Sequence, residues 1–193
     1  MTQRLIMVRH GATTWSESGQ HTGLTDLPLL PSGEEGARAL RPLLERFDIA
    51  HVRSSPLQRA RHTAELAGVT IDTIDPDLVE WDYGAVEGVS TAQMRERTGT
   101  DWSVWSDGVT PGDTPGETVE EVAARASRVL GAVADIDGDV LLFGHGQALR
   151  ILTAVFLRTE PRFGAHLAFE TGALGILGFH REDPVIEAWN LRS

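Results

Sequence analysis

Short apolar runs alternate with amphipathic segments along the 193-residue chain. The apolar runs predict buried strands over 4–9 and 140–143, with shorter strands over 50–54 and 70–74. Near the end of the chain, 173–179 and 185–189 predict an antiparallel hairpin, with 180–184 as its turn. This hairpin is expected to close one edge of a sheet.

Five segments are interpreted as helices from their apolar spacing and end signals. They are 32–46, 55–66, 91–98, 118–134 and 147–157. In the first helix, Ser32 and Glu35 have the spacing of a capping box, in which side chains satisfy the free backbone donors. Residues 76–90 predict irregular structure, and 99–116 predict a long surface loop because they are rich in Gly, Pro, Asp, Ser and Trp.

Strands that alternate with helices in this way predict an α/β fold in three layers. We expect a mostly parallel central sheet with helices on both faces and an antiparallel strand at the edge. Neither a repeat nor a linker interrupts the pattern, and 193 residues suffice for one buried core. The prediction is a single domain over 1–193.

Composition narrows the functional class. A hydrophobic fraction of 41% and a charged fraction of 23% are ordinary for a globular protein. No segment approaches the roughly 20 apolar residues that span a bilayer, and no signal-peptide pattern begins the chain, so a soluble cytoplasmic protein without membrane partners is expected. The formal net charge of −11 argues against nucleic acid as a partner.

Two residue types are missing from the chain, and each absence excludes chemistry. Without cysteine there is neither a disulfide nor a thiolate nucleophile. All 17 basic residues are arginine, which excludes a Schiff-base lysine, a P-loop lysine and pyridoxal phosphate attachment. Because arginine is the only cation, the position of an arginine is more informative than its identity.

Two histidines follow predicted strands: His10 in Arg9-His10-Gly11, and His145 in Gly144-His145-Gly146. The carboxyl ends of parallel strands form one crevice, so both histidines can share a pocket. A histidine at a strand end more often makes only local hydrogen bonds. Arg9, however, offers a rigid fork of donors that suits phosphate oxygens. A metal site is disfavoured because nearby guanidinium groups repel cations, so the pattern predicts an anion site.

Two further segments carry candidate chemistry. Arg59 lies in the first turn of a predicted helix, where backbone N–H groups and the helix dipole favour an anion, whereas Arg61 is expected in solvent and His62 in a structural or exposed position. Glu80 lies among aromatic residues, and a buried carboxylic acid can protonate a departing alkoxide. Nearby Asp82 and Glu87 are predicted to cap turns.

Taken together, these segments resemble the histidine phosphatase superfamily, also called the phosphoglycerate mutase-like family, over essentially the whole chain. The resemblance implies that His10 is the nucleophile and forms phosphohistidine, that Arg9, Arg59 and His145 bind phosphoryl oxygens, and that Glu80 is the general acid. It implies no metal and no cofactor. It also implies substrate contacts at Ser16, Thr22, Gly23, Tyr83, Gly146 and Gln147. Ser16 departs from the asparagine common there, which shortens a donor.

The stretches 15–29 and 80–84 are similar to the branch that contains sedoheptulose bisphosphatases and mycobacterial acid phosphatases. The resemblance implies a metal-independent phosphatase for small phosphorylated metabolites, with sugar (bis)phosphates favoured. Phosphoglycerate mutase is the alternative, although mutases carry a longer, basic insertion after the acid. A non-catalytic phospho-ligand-binding protein is the third reading. Family members often pair through sheet edges or helices, so a homodimer is compatible with the resemblance.

Overall fold

The computed structural model describes residues 3–192 and is built around one six-stranded sheet in the order β3-β2-β4-β1-β5-β6. The strands are β1 (Leu5–Arg9), β2 (Ile49–Ser54), β3 (Thr73–Ile74), β4 (Asp139–Gly144), β5 (Leu174–His180) and β6 (Asp183–Leu191). The first four in chain order pair in parallel, and β5 is antiparallel to both β1 and β6. This confirms a mostly parallel sheet with an antiparallel hairpin at one edge.

Helices connect the strands and cover both faces of the sheet. The α-helices are α1 (Thr14–Ser18), α2 (Pro31–Ala39), α3 (Arg41–Leu44), α4 (Gln58–Leu66), α5 (Thr91–Thr98), α6 (Val104–Asp107), α7 (Val119–Val133) and α8 (Gly146–Phe156). Three short 3₁₀ helices lie at Pro76–Leu78, Gly84–Val86 and Pro161–His166. Within the described range, none of the helices is both long and apolar enough to cross a membrane.

The central strands bury both of their faces. In β1, Leu5 and Met7 pack against α7 and α8, whereas Ile6 and Val8 pack against α3 and α4 on the other side. β4 divides its side chains in the same way. A third cluster, centred on Trp81, holds the segment between β3 and α7 against α7 and α8. The expected three-layer arrangement is therefore confirmed.

Several predicted boundaries were wrong. The helix expected over 32–46 begins at Pro31 and is interrupted at Leu40, because Pro42 has no N–H and its ring would clash with the carbonyl group four residues earlier. Ser32 is not its N-cap: Leu30 occupies that position, and the Ser32 hydroxyl donates to Glu17 instead. The helix expected over 55–66 begins at Gln58, and the strand expected over 70–74 shortens to Thr73–Ile74.

Two short helices were missed. α1 lies in the loop that follows β1, and α6 lies within the predicted loop 99–116. α1 has a true capping box, in which the Thr13 and Ser16 side chains satisfy each other's backbone N–H groups. A serine, rather than Glu or Gln, completes this box, so the usual sequence signature is absent. The same motif caps α5 and α7.

The pairing of β1 with β4 brings the two histidines together. Arg9 lies opposite Gly144 in the parallel register, and the backbone N–H of His10 donates to the Gly144 carbonyl at 3.0 Å. His10 directly follows Arg9 and His145 directly follows Gly144, so both histidines lie at this edge of the sheet. Their ring centroids are 5.1 Å apart. The sheet therefore sets the geometry of the two residues most informative about function.

Candidate active site

A cavity of about 200 Å³ opens at the carboxyl ends of β1 and β4. It is lined by Arg9, His10, Ser16, Gly19, Gln20, His21, Thr22, Glu80, Tyr83, Thr91, Gly146, Gln147 and Arg150. Most of the predicted site residues are among them. Arg59, His145 and Gly23 are not, and all three are buried.

His10 is buried and held in one tautomer. Its Nδ1 lies 2.8 Å from the Gly11 carbonyl oxygen, which can only accept, so Nδ1 carries the proton and Nε2 has the free lone pair. Burial, with the charges of Arg59 and Arg9, holds the pKa of His10 well below its usual value. The ring is consequently a neutral base and nucleophile at pH 7.

Arg9 brings a buried donor that no protein group satisfies. Its Nη1 donates to the Phe169 carbonyl, but its Nε has no partner and is inaccessible to solvent. Gly146 allows this guanidinium to come close, since a Cβ there would lie 3.1 Å from Arg9 Cζ and 3.2 Å from Nε. A buried unpaired N–H on a charged group is costly unless a ligand completes it. Because Nε is inaccessible, an anion in the cavity would meet the rest of the Arg9 guanidinium, since Arg9 lines the cavity.

Glu80 joins the cavity to the start of α8. Its Oε1 accepts from the backbone N–H groups of Trp81 at 2.9 Å and Ala148 at 2.8 Å, and its Oε2 accepts from that of Gln147 at 3.0 Å. Oε2 accepts one N–H and so retains a lone pair that can carry a proton. The Glu80 residue is 5% exposed, and backbone donors fix its carboxyl group. This placement suits proton exchange with a ligand in the cavity.

Arg59 and His145 form a buried layer beside His10. Arg59 Nε donates to His145 Nδ1 at 3.2 Å, and His145 Nε2 lies 2.8 Å from the Ser55 hydroxyl oxygen. His145 therefore carries its proton on Nε2, and burial together with the charge of Arg59 holds its pKa well below the usual value. Both side chains are fully buried.

The remaining donors of Arg59 hold the loop after α1. Nη1 donates to the Thr25 carbonyl at 2.8 Å, and Nη2 donates to the carbonyls of Gly23 at 2.8 Å and Thr22 at 3.3 Å. The backbone N–H of Gly23 donates to Glu87. Gly23 thus serves the loop rather than the cavity surface, and four of the five N–H donors of Arg59 are engaged by protein acceptors.

The other predicted contacts take more local roles. The Ser16 hydroxyl donates to the Thr13 carbonyl, so its donor is used within the α1 capping box. Thr22 donates to the Gln20 carbonyl at 3.2 Å. Burial and the nearby Glu80 carboxylate raise the pKa of Tyr83 well above its usual value, which keeps the phenol protonated as a donor.

Sequence reasoning missed part of the cavity wall. His21 lines the cavity and is fixed by a hydrogen bond from its Nδ1 to the Val89 carbonyl, so its Nε2 is an acceptor, and burial lowers its pKa. Arg150 donates to Gln147 Oε1 and to the carbonyls of Gly164 and Ala165. The sequence did carry a signal for Arg150, because Gln147 and Arg150 are three residues apart and therefore share a helix face. Gln20 and Thr91 had no comparable signal.

The residues predicted to be non-catalytic take exposed or structural positions, although Glu87 anchors a distant loop instead of capping a turn. Arg61 is exposed and His62 is half-buried outside the cavity. Asp82 Oδ1 accepts from the Gly84 N–H at 3.0 Å and so caps a turn. Glu87 accepts from the N–H groups of Gly23 and Thr25 and anchors their loop.

The charge balance of the cavity suits an anion. Arg9 and Arg150 line it and Arg59 lies behind it, against the single carboxylate of Glu80. Burial lowers the pKa of each arginine, and Glu80 opposes that shift. Among residues 3–192, His, Asp and Glu form no cluster of three or more that could hold a metal ion. The groups at hand are thus a neutral nucleophile, a carboxyl group and guanidinium donors.

The chain is similar to one known protein family and to phosphatases within it. The family model described as "Histidine phosphatase superfamily (branch 1)" matches residues 5–192. An acid phosphatase of Mycobacterium tuberculosis is 36% identical over 91% of this chain and 86% of its own length. The sedoheptulose 1,7-bisphosphatase of Saccharomyces cerevisiae is 35% identical over 81% of this chain and 68% of its own length.

Two other similarities bear on the fold and on the range of activities. A solved structure of a Mycobacterium tuberculosis protein superposes with a TM-score of 0.92 at 33% identity, covering 100% of this chain and 99% of that one. A 2,3-bisphosphoglycerate-dependent phosphoglycerate mutase of Cytophaga hutchinsonii is 32% identical over 88% of this chain and 84% of its own length. Both phosphatases and mutases are therefore among the relatives.

Proposed function

The chain belongs to the histidine phosphatase superfamily, and on that premise we propose that it is a metal-independent phosphatase acting on small phosphorylated metabolites through phosphohistidine. One observation carries the proposal most strongly. His10, fixed with its Nε2 lone pair free, shares one cavity with the cationic Arg9 side chain and with the Glu80 carboxyl group. Nucleophile, anion donor and acid thus lie around a single space.

In the first step, the phosphoryl group binds beside Arg9, whose guanidinium donates to one of its oxygens. Arg59 adds positive charge close to His10, as its effect on the pKa of His10 shows. The Nε2–H of His145 is held by the Ser55 hydroxyl and would have to leave it to reach a phosphoryl oxygen. The charge on the equatorial oxygens during transfer is thereby stabilised without a metal ion. The burial of these groups strengthens the interaction, since little water screens it.

Transfer then moves the phosphoryl group to His10. Nε2 attacks phosphorus in line, the P–N bond forms, and the P–O bond to the leaving group breaks. Glu80 gives its proton to the leaving oxygen, so that an alcohol departs rather than an alkoxide. In the second step the Glu80 carboxylate takes a proton from water, whose oxygen attacks phosphorus as the P–N bond breaks. Inorganic phosphate leaves, and His10 and Glu80 return to their starting states.

The lining of the cavity supports sugar phosphates and bisphosphates as the substrates. Arg150 lines it as a second cation beyond Arg9, which suits a second anionic group on the same substrate. Tyr83 offers a hydroxyl donor and His21 a ring acceptor. Such a mixture pairs with hydroxyl groups of a polyol. The similarity to the yeast sedoheptulose 1,7-bisphosphatase supports the same substrate class.

Hydrolysis is favoured over mutase action by the segment before α7. Residues 99–118 contain no basic residue. A mutase must hold an anionic second substrate and keep water away from phosphohistidine, and this segment supplies no cation for that purpose. Mutase activity remains the second candidate because of the Cytophaga hutchinsonii relative.

The test is a panel assay with purified protein in EDTA. Phosphate release is measured from sedoheptulose 1,7-bisphosphate, fructose 1,6-bisphosphate, 3-phosphoglycerate and p-nitrophenyl phosphate, and isomerisation of 3-phosphoglycerate is followed in parallel. We expect fastest release from a sugar bisphosphate, unaffected by the chelator, with an acid-labile phosphoenzyme that is absent from His10→Ala. Isomerisation without net phosphate release would identify a mutase. Binding without turnover would identify a non-catalytic protein.

A further inference from the structure

Outside the cavity, α7 carries a buried arginine that faces the segment bearing Glu80. Arg125 and Glu117 form a two-pronged ion pair, with Nε to Oε1 at 2.9 Å and Nη2 to Oε2 at 3.1 Å. The Arg125 side chain is 6% exposed and that of Glu117 is 23% exposed. Neither residue lines the cavity.

The rest of the Arg125 guanidinium binds the backbone that leads to Glu80. Nη1 donates to the carbonyls of Asp77 at 2.9 Å and Val79 at 2.7 Å, and Nη2 donates to the carbonyl of Glu80 itself at 3.0 Å. With the two bonds to Glu117, all five N–H donors of the guanidinium are used. A lysine, with three donors on a point charge, cannot reproduce this set.

Glu117 fixes the backbone on the other side of Glu80. Its N–H donates to the Asp82 carbonyl at 2.9 Å, and its Oε2 accepts from the Asp82 N–H at 3.0 Å. Its carbonyl oxygen accepts from Trp81 Nε1 at 2.7 Å. The segment around Glu80 has no regular secondary structure of its own, so these bonds replace a strand or helix ladder.

We propose that Arg125 and Glu117 are positioning residues that hold the Glu80 carboxyl group at the leaving oxygen. The proposal rests on the function proposed above, in which Glu80 is the general acid. Proton transfer requires the acid within hydrogen-bond reach, and an error of about 1 Å at a reacting group can cost on the order of 100-fold in rate. The α8 backbone fixes the carboxyl group, and the Arg125–Glu117 pair fixes the main chain that carries it.

Arg128 provides a matched control. It lies on the same helix, one turn after Arg125, and pairs with the Asp77 carboxylate in the same segment at 2.6 Å. Its guanidinium makes no hydrogen bond to the backbone of residues 79–82. Arg128→Met therefore removes an ion pair between the same two parts of the chain while leaving the Glu80 backbone held.

The experiment compares phenyl phosphate with p-nitrophenyl phosphate, which are similar in shape but differ in how much the leaving group needs a proton. Turnover is measured for the wild type, Glu80→Gln, Arg125→Lys, Glu117→Gln and Arg128→Met, at a temperature at which circular dichroism shows every variant folded. We expect Arg125→Lys and Glu117→Gln to lose about 10-fold or more on phenyl phosphate and under about 3-fold on p-nitrophenyl phosphate, as a displaced acid predicts. Arg128→Met should keep the wild-type ratio.

Each contrary outcome has a separate meaning. Equal losses on both substrates in Arg125→Lys and Glu117→Gln, with a selective loss in Glu80→Gln, would make the pair merely structural and overturn this proposal. Equal losses of turnover on both substrates in Glu80→Gln would overturn the assignment of Glu80 as the general acid, on which this proposal rests. A selective loss in Arg128→Met would show that any contact to this segment suffices, which also overturns the specific role of Arg125 and Glu117.

Discussion

Arg59 and His145 act as one unit, because the Arg59 Nε–H donates to His145 Nδ1 while the other guanidinium donors hold carbonyls of the loop after α1. One side chain therefore fixes both the tautomer of the second histidine and the loop that leads to the cavity. The sequence suggested a direct phosphate ligand at Arg59. The geometry shows that Arg59 also holds the loop after α1, so any substitution of Arg59 must disturb that loop.

Arg59→Lys should impair both stability and turnover. Lysine keeps the charge but cannot span His145 and the carbonyls of Gly23 and Thr25 together. Each buried carbonyl left without a donor costs about 1–3 kcal/mol, so urea unfolding should show a loss in that range or above. Arg61→Lys, on the same helix but exposed, should leave both stability and kcat unchanged. Wild-type stability in Arg59→Lys would contradict the shared role.

His10→Ala should reduce turnover by on the order of 1,000-fold or more while the protein stays folded. The reason is that His145, the other histidine at this sheet edge, carries its proton on Nε2 and so offers no lone pair there. Phosphate release and near-ultraviolet circular dichroism measure the two expectations. His180→Ala, at an exposed position, is the control. Retained activity in purified His10→Ala would contradict the phosphohistidine mechanism.

Gly146→Ala should weaken phosphate binding because the new methyl group would lie 3.1 Å from Arg9 Cζ and displace the guanidinium. The inhibition constant for inorganic phosphate should rise several-fold, measured as product inhibition. Gly131→Ala, in α7 with open space around it, should leave that constant unchanged and raise stability by about 0.5–1 kcal/mol through helix propensity. Unchanged phosphate inhibition in Gly146→Ala would argue against Arg9 as the phosphate donor.

Stability should fall as the pH is lowered from 7 toward 5. His10, His21 and His145 have pKa values lowered by burial, so the unfolded chain takes up protons below about pH 6.5 while the native protein does not. Stability from this source is fully present above pH 6.5. It declines below that pH by up to about 1.4 kcal/mol per pH unit for each histidine.

Urea unfolding at several pH values measures this effect. His10→Gln should reduce the pH dependence of the unfolding free energy by close to one proton. His180→Gln, which replaces an exposed histidine, should leave that dependence as it is in the wild type. Stability that stays constant between pH 7 and 5 would mean that these histidines accept protons in the native state.

The strands and the reactive residues were predictable because their signals are local. Apolar runs located β1 and β4, and the residues after each strand end had to meet at one sheet edge. The helix over 91–98 was also placed correctly. Its boundaries depend on a capping box and an αL glycine, Gly99, which are visible in sequence.

The parts that were missed depend on tertiary contacts. The orientation of Arg59 follows from carbonyl oxygens that lie 34 to 37 residues away, and no local pattern encodes them. Likewise, His21 enters the cavity because residues near Val89 pin its ring. The interruption at Leu40, in contrast, is encoded locally by Pro42, although the apolar spacing by itself predicts a continuous helix.

The position of β1 has a consequence for how the protein is made. This first strand lies between β4 and β5, so both of its neighbours come from residues after 138. While the ribosome has released only the N-terminal half, Leu5–Arg9 has no partner strand and its apolar side chains remain uncovered. His10 gains its surroundings only when the C-terminal half arrives. Catalytic competence therefore comes only at the end of synthesis.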